Sequence, residues 1–367
     1  MEKLKIGITQ GDINGTGCVE VLKAFSNPTM FELCTPVLYG SSKAVGFYRK
    51  QLELQVPTSD ASDADDADDD KLNVVDCSDE ETKADPGVPS PDAAKLAWTS
   101  LEQAVREYTD GQTDAVVTLP VNYDMMKQAG TEFIGTLDYM EKVTSMQGHG
   151  LQMLVGEDLR MAIALPGLAM KNVPAALTEE LVSERIRTLD QTLKVDFCID
   201  APRIAVMALN TGADGQAAPG AEEKEAIIPA IDKAVADSIV CYGPYTADWL
   251  ADDGNFAHFD AILAIYYDQA IGLFKALTQD EGVAFCAGLP IVCTAPAHGV
   301  GYDKMETADE VSELAFCHAV YLATDVQRNR ESYRQASANK LRKQYNERRD
   351  DSDKLKQLSV PDDDDIL

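Results

Sequence analysis

Nine short runs rich in β-branched and aliphatic residues, alternating with stretches of helical spacing, most narrowly limit what this chain can fold into. The runs are 3–9, 35–40, 72–76, 114–120, 151–156, 159–166, 203–210, 260–267 and 289–295. A chain in which the apolar period keeps switching between two and 3.6 residues is an α/β protein. The helical stretches carry their own punctuation. In "SPDAAKLAWTSLEQAVREYTDG" (90–111), Ser90 is placed to cap the N-terminus, Pro91 sits at the first helical position and Gly111 follows the end. A second helix is predicted to open at Thr178, with Glu179 and Glu180 complementing the positive end of its dipole. Further helices are expected near 220–237, 307–329 and 332–347. With 367 residues, 45% of them hydrophobic, the chain can bury a core the size of two domains or one large α/β unit.

Charge narrows the partners. Acids number 62 against 32 lysines and arginines, a formal charge of −30, which disfavours nucleic acid and anionic membrane as partners. Part of the surplus is local. The runs "SDASDADDADDD" (59–70) and "PDDDD" (361–365) read as solvated, disordered chain, so 58–70 is expected to be an acidic surface-loop insert and 349–367 a mobile acidic tail. Eight cysteines are scattered without CxxC spacing, as reduced thiols of a cytoplasmic protein would be. Neither a leader peptide nor an apolar stretch of about 18 residues is visible, so neither secretion nor membrane spanning is expected.

Four stretches can carry chemistry, because each leaves a predicted strand at the edge where open α/β sheets place their ligands. "TQGDINGTGCVE" (9–20) offers glycines at 11, 15 and 17 for a turn that aims backbone N–H groups at an anion; a plain strand-to-helix turn would need the same glycines. "ALNTGADGQAAPGAEE" (208–223) leaves its strand through Asn210 and a loop of small residues suited to covering a ligand. "TAPAHGVGYD" (294–303) gathers His298, Gly299 and Asp303, and of the four histidines only His298 has such a setting. "ILAIYYDQAIGLFK" (262–275) stops its apolar run on Tyr266, Tyr267, Asp268 and Gln269, and ends on Lys275.

These stretches, with "LPVNYDMMKQAGTEFIG", "KNVPAALT", "GPYTAD" and "GLPIVCTAPAHGVGYD", occur in an order that resembles the 4-hydroxythreonine-4-phosphate dehydrogenase family of vitamin B6 biosynthesis, from residue 4 to roughly 345. The resemblance implies an isocitrate/isopropylmalate dehydrogenase-like fold: a two-domain α/β/α architecture with an active-site cleft between the domains. Residues 1–130 plus 290–348 would form a nucleotide-side domain and 131–289 a central domain. It also implies a homodimer, NAD as cofactor, and oxidation with decarboxylation of a small phosphorylated hydroxy amino acid, assisted by a divalent metal.

Residue by residue, the resemblance implies a centre stripped of its ligands. The three positions at which family members carry metal-binding histidines read Gly167, Gly212 and Tyr267. Thr136 and Leu137 stand at the substrate-phosphate positions, Ala284 and Cys293 replace an asparagine and an arginine, Ala297 replaces an acid, and a glutamate of the first glycine loop corresponds to Val19. Lys275 and Asp268 are the implied catalytic residues, with Lys275 also meeting an anionic substrate group; Asn210, His298, Gly299 and Asp303 are the implied cofactor residues. Neutral glycines stabilise no developing alkoxide, so metal-dependent chemistry is expected to be lost or strongly weakened. The other reading is a non-catalytic NAD- or ligand-binding, regulatory homologue on the same scaffold.

Overall fold

The predicted caps form. Ser90 Oγ accepts a hydrogen bond from the Ala93 N–H at 3.2 Å, and Pro91 occupies a first-turn position whose N–H would have no partner, so the helix Pro91–Thr109 starts there. Thr178 Oγ1 accepts from the Leu181 N–H, also at 3.2 Å, and opens the helix Glu179–Val195, whose Val182, Ile186, Leu189 and Leu193 are buried along one stripe at helical spacing.

The computed structural model describes residues 3–78, 83–133, 135–212, 219–279 and 281–338. Its strands are β1 (Leu4–Thr9), β2 (Cys34–Gly40), β3 (Thr58–Ala61), β4 (Leu72–Asp76), β5 (Ala115–Val117), β6 (Leu151–Val155), β7 (Arg160–Leu165), β8 (Ile204–Met207), β9 (Cys241–Tyr245), β10 (Ala261–Tyr266), β11 (Val283–Ala287) and β12 (Cys293–Pro296). They form one sheet in the order β3-β4-β2-β1-β5-β12-β11-β6-β7-β10-β8-β9. Pairing is parallel from β3 to β12 and again from β7 to β9. The three junctions β12-β11, β11-β6 and β6-β7 are antiparallel. Strands from the two ends of the sequence therefore occupy one part of the sheet and those from 151–287 the other, meeting at β11 and β12. Both parallel blocks are covered by helices, which is why β1, β2, β7 and β10 can be apolar on both faces, with Ile6, Ile8, Val37, Leu38, Ala162, Ile163, Leu263 and Ile265 all fully buried. Residues 1–331 make one compact unit; of 332–367, the described residues 332–338 are helical.

Three strands depart from the sequence reading. The acidic stretch 58–70 is not a disordered loop: β3 pairs with β4 in parallel, Asp63 caps a short 3-10 turn by accepting from the Asp65 N–H at 3.0 Å, and the turn's Ala64 is fully buried with its N–H on Glu107 Oε2 at 2.9 Å. Its carboxylates are held by what surrounds them, Lys5 pairing with Asp65 at 3.3 Å and Lys3 with Asp70 at 3.1 Å. In β9 the sequence "CYGPY" hides a strand behind a Gly-Pro pair, tolerable because β9 is an edge. The predicted strand 289–295 starts late: "GLP" turns the chain, and β12 begins only at Cys293. The helices expected at 307–329 and 332–347 are a 3-10 segment Tyr302–Glu310 followed by a helix Leu314–Ala338; residues 339–348 and the acidic tail 349–367 lie outside the described residues.

Candidate functional site

A cleft of about 1170 Å³ opens where the sheet changes from parallel to antiparallel. Its lining comes from the carboxyl ends of β5, β7, β10 and β12, from the faces of β6 and β11, and from the first turns of the helices Gly17–Ala24 and Thr136–Thr144. Strand ends leave backbone and side chains free of the ladder, and the topological change keeps neighbouring loops from covering them.

Most sequence-predicted site residues meet here. Thr136, Leu137, Gly167, Tyr267, Asp268, Lys275, His298, Gly299 and Asp303 all line the cleft. Asp268, Ile271 and Lys275 do so from one face of the helix Tyr267–Thr278, at offsets of three and four residues. The Asp268 carboxylate lies in that helix's first turn, where the dipole favours negative charge. Gln269 has a different task. Its Oε1 accepts from the Ile265 N–H at 2.8 Å and its Nε2 donates to the Ala208 carbonyl at 2.7 Å, so the amide ends β10 by tying it to the chain leaving β8.

Two predicted residues stay away. Asn210 is outside the lining; its side-chain amide donates to Glu222 at 3.0 Å and Glu223 at 2.9 Å, and its N–H donates to Glu223 at 2.8 Å. Burial works against the Glu223 carboxylate, but the hydrogen bonds from Asn210 and Leu209 outweigh it and hold its pKa below the usual range. Gly212 is also absent from the lining, and the adjoining part of the loop, 213–218, lies outside the described residues.

One bank of the cleft is knit together by polar contacts that sequence reasoning missed. His298 Nε2 lies 3.2 Å from Glu20 Oε2, and its Nδ1 lies 2.9 Å from the Gly299 carbonyl. Burial pulls the imidazole pKa down, yet the hydrogen bond and charge of Glu20, with the Gly299 carbonyl, raise it on balance. Val19, where the resemblance sets a family glutamate, is fully buried in the core. Tyr302 donates its hydroxyl to Asp12 Oδ2 at 2.5 Å, and the Thr16 N–H donates to the Val300 carbonyl at 3.0 Å. Gly15 is required by this clasp, since a Cβ there would come 2.3 Å from Val300 Cγ1. The first glycine loop is therefore a packing turn against the 298–303 loop. Glu20 could have been suspected from its place in the first turn after that loop, but nothing local announces its pairing with His298.

The facing bank is formed by Pro166, Gly167, Leu168, Met170, Tyr123 and Tyr267. Its polar groups are the Tyr123 and Tyr267 phenols, with Asp268 and Lys275 on the same helix as Tyr267. Gly167 has φ +69°, a conformation that an L side chain holds only with strain. The Tyr267 phenol is pushed to higher pKa by burial and by the Asp268 charge, so it ionises, and would ligate, less readily. A carboxylate, a phenol resistant to ionisation and a glycine do not make the donor set of a divalent cation, which wants several oxygens or imidazoles. Among the described residues, no group of three or more His, Cys, Asp and Glu side chains is arranged to hold one. The backbone at Gly299 is open, with nothing within 4 Å of its Cβ position, and Asp303 and Lys304 line the cleft nearby. In charge the lining has Glu20, Asp138, Asp268 and Asp303 against Lys275 and Lys304, and no arginine.

Comparison with known proteins gives the chain its relatives. The model of the family described as pyridoxal phosphate biosynthetic protein PdxA matches residues 32–323. The 4-hydroxythreonine-4-phosphate dehydrogenase of Bacteroides thetaiotaomicron is 44% identical over 361 residues, covering 98% of this chain and 99% of that one. That of Prosthecochloris aestuarii is 32% identical over 331 residues, covering 88% and 97%. The crystal structure of a 4-hydroxythreonine-4-phosphate dehydrogenase from Burkholderia phymatum superposes with a TM-score of 0.72 at 25% identity, over 89% of this chain and 99% of that one.

Proposed function

The chain belongs to the pyridoxal phosphate biosynthetic protein PdxA family, and from that premise we propose that its cleft binds NAD and a small phosphorylated hydroxy amino acid or an analogue, with the family's metal-assisted oxidation lost or strongly weakened. One observation carries the reading. The cleft is lined by His298, Gly299, Asp303, Asp268 and Lys275, while Gly167 and Tyr267 stand at two positions where the resemblance sets the family's metal-binding histidines.

In this reading His298, Gly299 and Asp303 receive the nucleotide, Lys275 meets the substrate's anionic group, and Asp268, on the same helix face as Lys275, serves as the proton acceptor. NAD, when bound, supplies the hydride acceptor. The excess of carboxylates in the lining raises the free energy of bringing two anionic ligands together, which supports weak affinity rather than a refined substrate site. The same excess favours the second reading, a ligand-binding or regulatory homologue without turnover. The grouping of strands on either side of β11 and β12 supports the two domains, 1–130 with 290–348 and 131–289. A homodimer in the cytoplasm completes the proposal; among the described residues no helix is long and apolar enough to cross a membrane.

Calorimetric titration of the full chain tests it. NAD should give a saturable isotherm, and Zn²⁺, Mn²⁺ or Mg²⁺ should bind no tighter than about 0.1 mM, some 5 kcal/mol. Micromolar metal affinity at the cleft would overturn the loss of metal chemistry, and absence of any NAD isotherm would overturn the nucleotide assignment.

A further inference from the structure

The floor of the cleft holds two cysteines that the proposed function does not use. β11 and β12 are antiparallel, with Val283 opposite Pro296, Ala284 opposite Ala295 and Phe285 opposite Thr294. One further step in this register sets Cys286 opposite Cys293. Opposed residues of an antiparallel pair have Cα atoms about 4.5 or 5.5 Å apart, and both spacings fall within the roughly 4.4–6.8 Å that a disulfide spans. Facing residues of neighbouring strands also point to the same side of the sheet. Both cysteines line the cleft and pack in one cluster with Val116, Leu289 and Ile291. Cys286 is 9% exposed and Cys293 1%, so a small solute entering the cleft meets Cys286 first.

Position adds a consequence. β12 is bonded to β5 and β11 to β6, so this pair is the seam joining the strands of the two chain ends to those of the central segment. A covalent link there would fix the two sets of strands to each other under the cleft. The plain alternative is a pair of inert core thiols acting as small hydrophobes. Against it stand the direct opposition of the two residues and their shared access to the cleft.

We propose that Cys286 and Cys293 are a cleft-facing dithiol that a small peroxide converts to a cross-strand disulfide. In the first step the sulfur of one cysteine, as thiolate, attacks a peroxide oxygen. The O–O bond breaks, the sulfur becomes a sulfenic acid, and the departing hydroxide takes a proton to leave as water. In the second step the other sulfur attacks the sulfenic sulfur, the S–O bond breaks, and the second water carries off the remaining thiol proton. Two electrons pass from the two thiols to one peroxide. The neighbouring Cys293 thiol, burial, and the nearby Glu141 and Asp138 carboxylates all push the Cys286 pKa well above the ordinary thiol value. Oxidation is accordingly slow at neutral pH and quickens as pH rises.

The test treats the folded full chain with hydrogen peroxide, then unfolds it, alkylates free thiols and maps the peptides by mass spectrometry. The expected result is a fall from eight alkylatable cysteines to six, with a single Cys286–Cys293 cross-link that dithiothreitol reverses, and with faster formation at pH 9 than at pH 7. Cys286→Ser and, independently, Cys293→Ala should each abolish the cross-link. Cross-links from either residue to another cysteine, irreversible oxidation of Cys286 or Cys293 without a cross-link, or no loss of these two thiols under conditions that oxidise the unfolded chain would each overturn the proposal.

Discussion

The two banks of the cleft differ in what their polar groups are for. On the bank built from 9–20 and 294–304, Asp12 pairs with Tyr302 and Glu20 with His298, so each pair holds two loops together, and Glu20 and His298 also line the cleft. On the bank built from 166–170 and 266–275, Gly167, Leu168, Met170 and Tyr267 line the cleft, and among the described residues no comparable network joins these four. Where the residues facing a ligand also staple the fold, a change in chemistry disturbs the structure. Where they serve only the ligand, the chemistry can be emptied while the backbone stays whole. In the proposed reading, this chain has the second condition on the side where the resemblance sets the family's metal.

That contrast can be broken by stability measurements. The largest effect should come from Tyr302→Phe, which removes the hydrogen bond to a buried carboxylate and leaves Asp12 short of a partner; a loss of about 2 kcal/mol in urea unfolding is expected. Burial already pushes the Asp12 pKa up despite the hydrogen bonds from Tyr302 and the Asn14 N–H, so the same variant should raise it further. Gly167→Ala should cost about 1 kcal/mol, from backbone conformation alone, since open space surrounds the added methyl group. A triple variant, Gly167→His with Gly212→His and Tyr267→His, should therefore bind Zn²⁺ more tightly than the parent but by less than three well-placed imidazoles would give, which a parallel calorimetric titration would measure.

A smaller effect concerns pH. Because the folded-state pKa of His298 is raised, its pairing with Glu20 contributes stability that is fully present below the unfolded histidine value of about 6.5 and is lost as pH rises through the folded value. Thermal midpoints should decline over that window in the parent and stay flatter in Glu20→Gln. The smallest change is expected for Tyr267→Phe on the other bank, within about 0.5 kcal/mol, because the ring is 39% exposed and holds no loop in place. A loss as large as that of Tyr302→Phe would erase the distinction between the banks.

How much of this was legible in the sequence follows the range of the interactions. Caps are local, so Ser90 and Thr178 are readable from a few residues on either side. Buried parallel strands announce themselves as apolar runs, whereas β3, with sequence "TSDA", is a strand only because Leu72–Asp76 is available to pair with it. The stretches that gather at the cleft are recognisable as strand ends. Which of their side chains face it is not, as Asn210 shows by turning to Glu222 and Glu223. Partners such as Glu20 with His298 and Asp12 with Tyr302 lie 278 and 290 residues apart, and Cys286 meets Cys293 only through a strand register, so no local pattern encodes any of the three.

The central claim is that the family's scaffold is intact here while its grip on a catalytic cation is gone. Its most direct test is NADH production from 4-hydroxythreonine 4-phosphate with saturating NAD and added Zn²⁺, Mn²⁺ or Mg²⁺, run side by side with the Bacteroides thetaiotaomicron relative. The account predicts that turnover by this chain stays at least a hundredfold below the relative, a deficit of about 2.7 kcal/mol in transition-state stabilisation, and does not respond to the metal. Metal-dependent turnover within tenfold of the relative would contradict it.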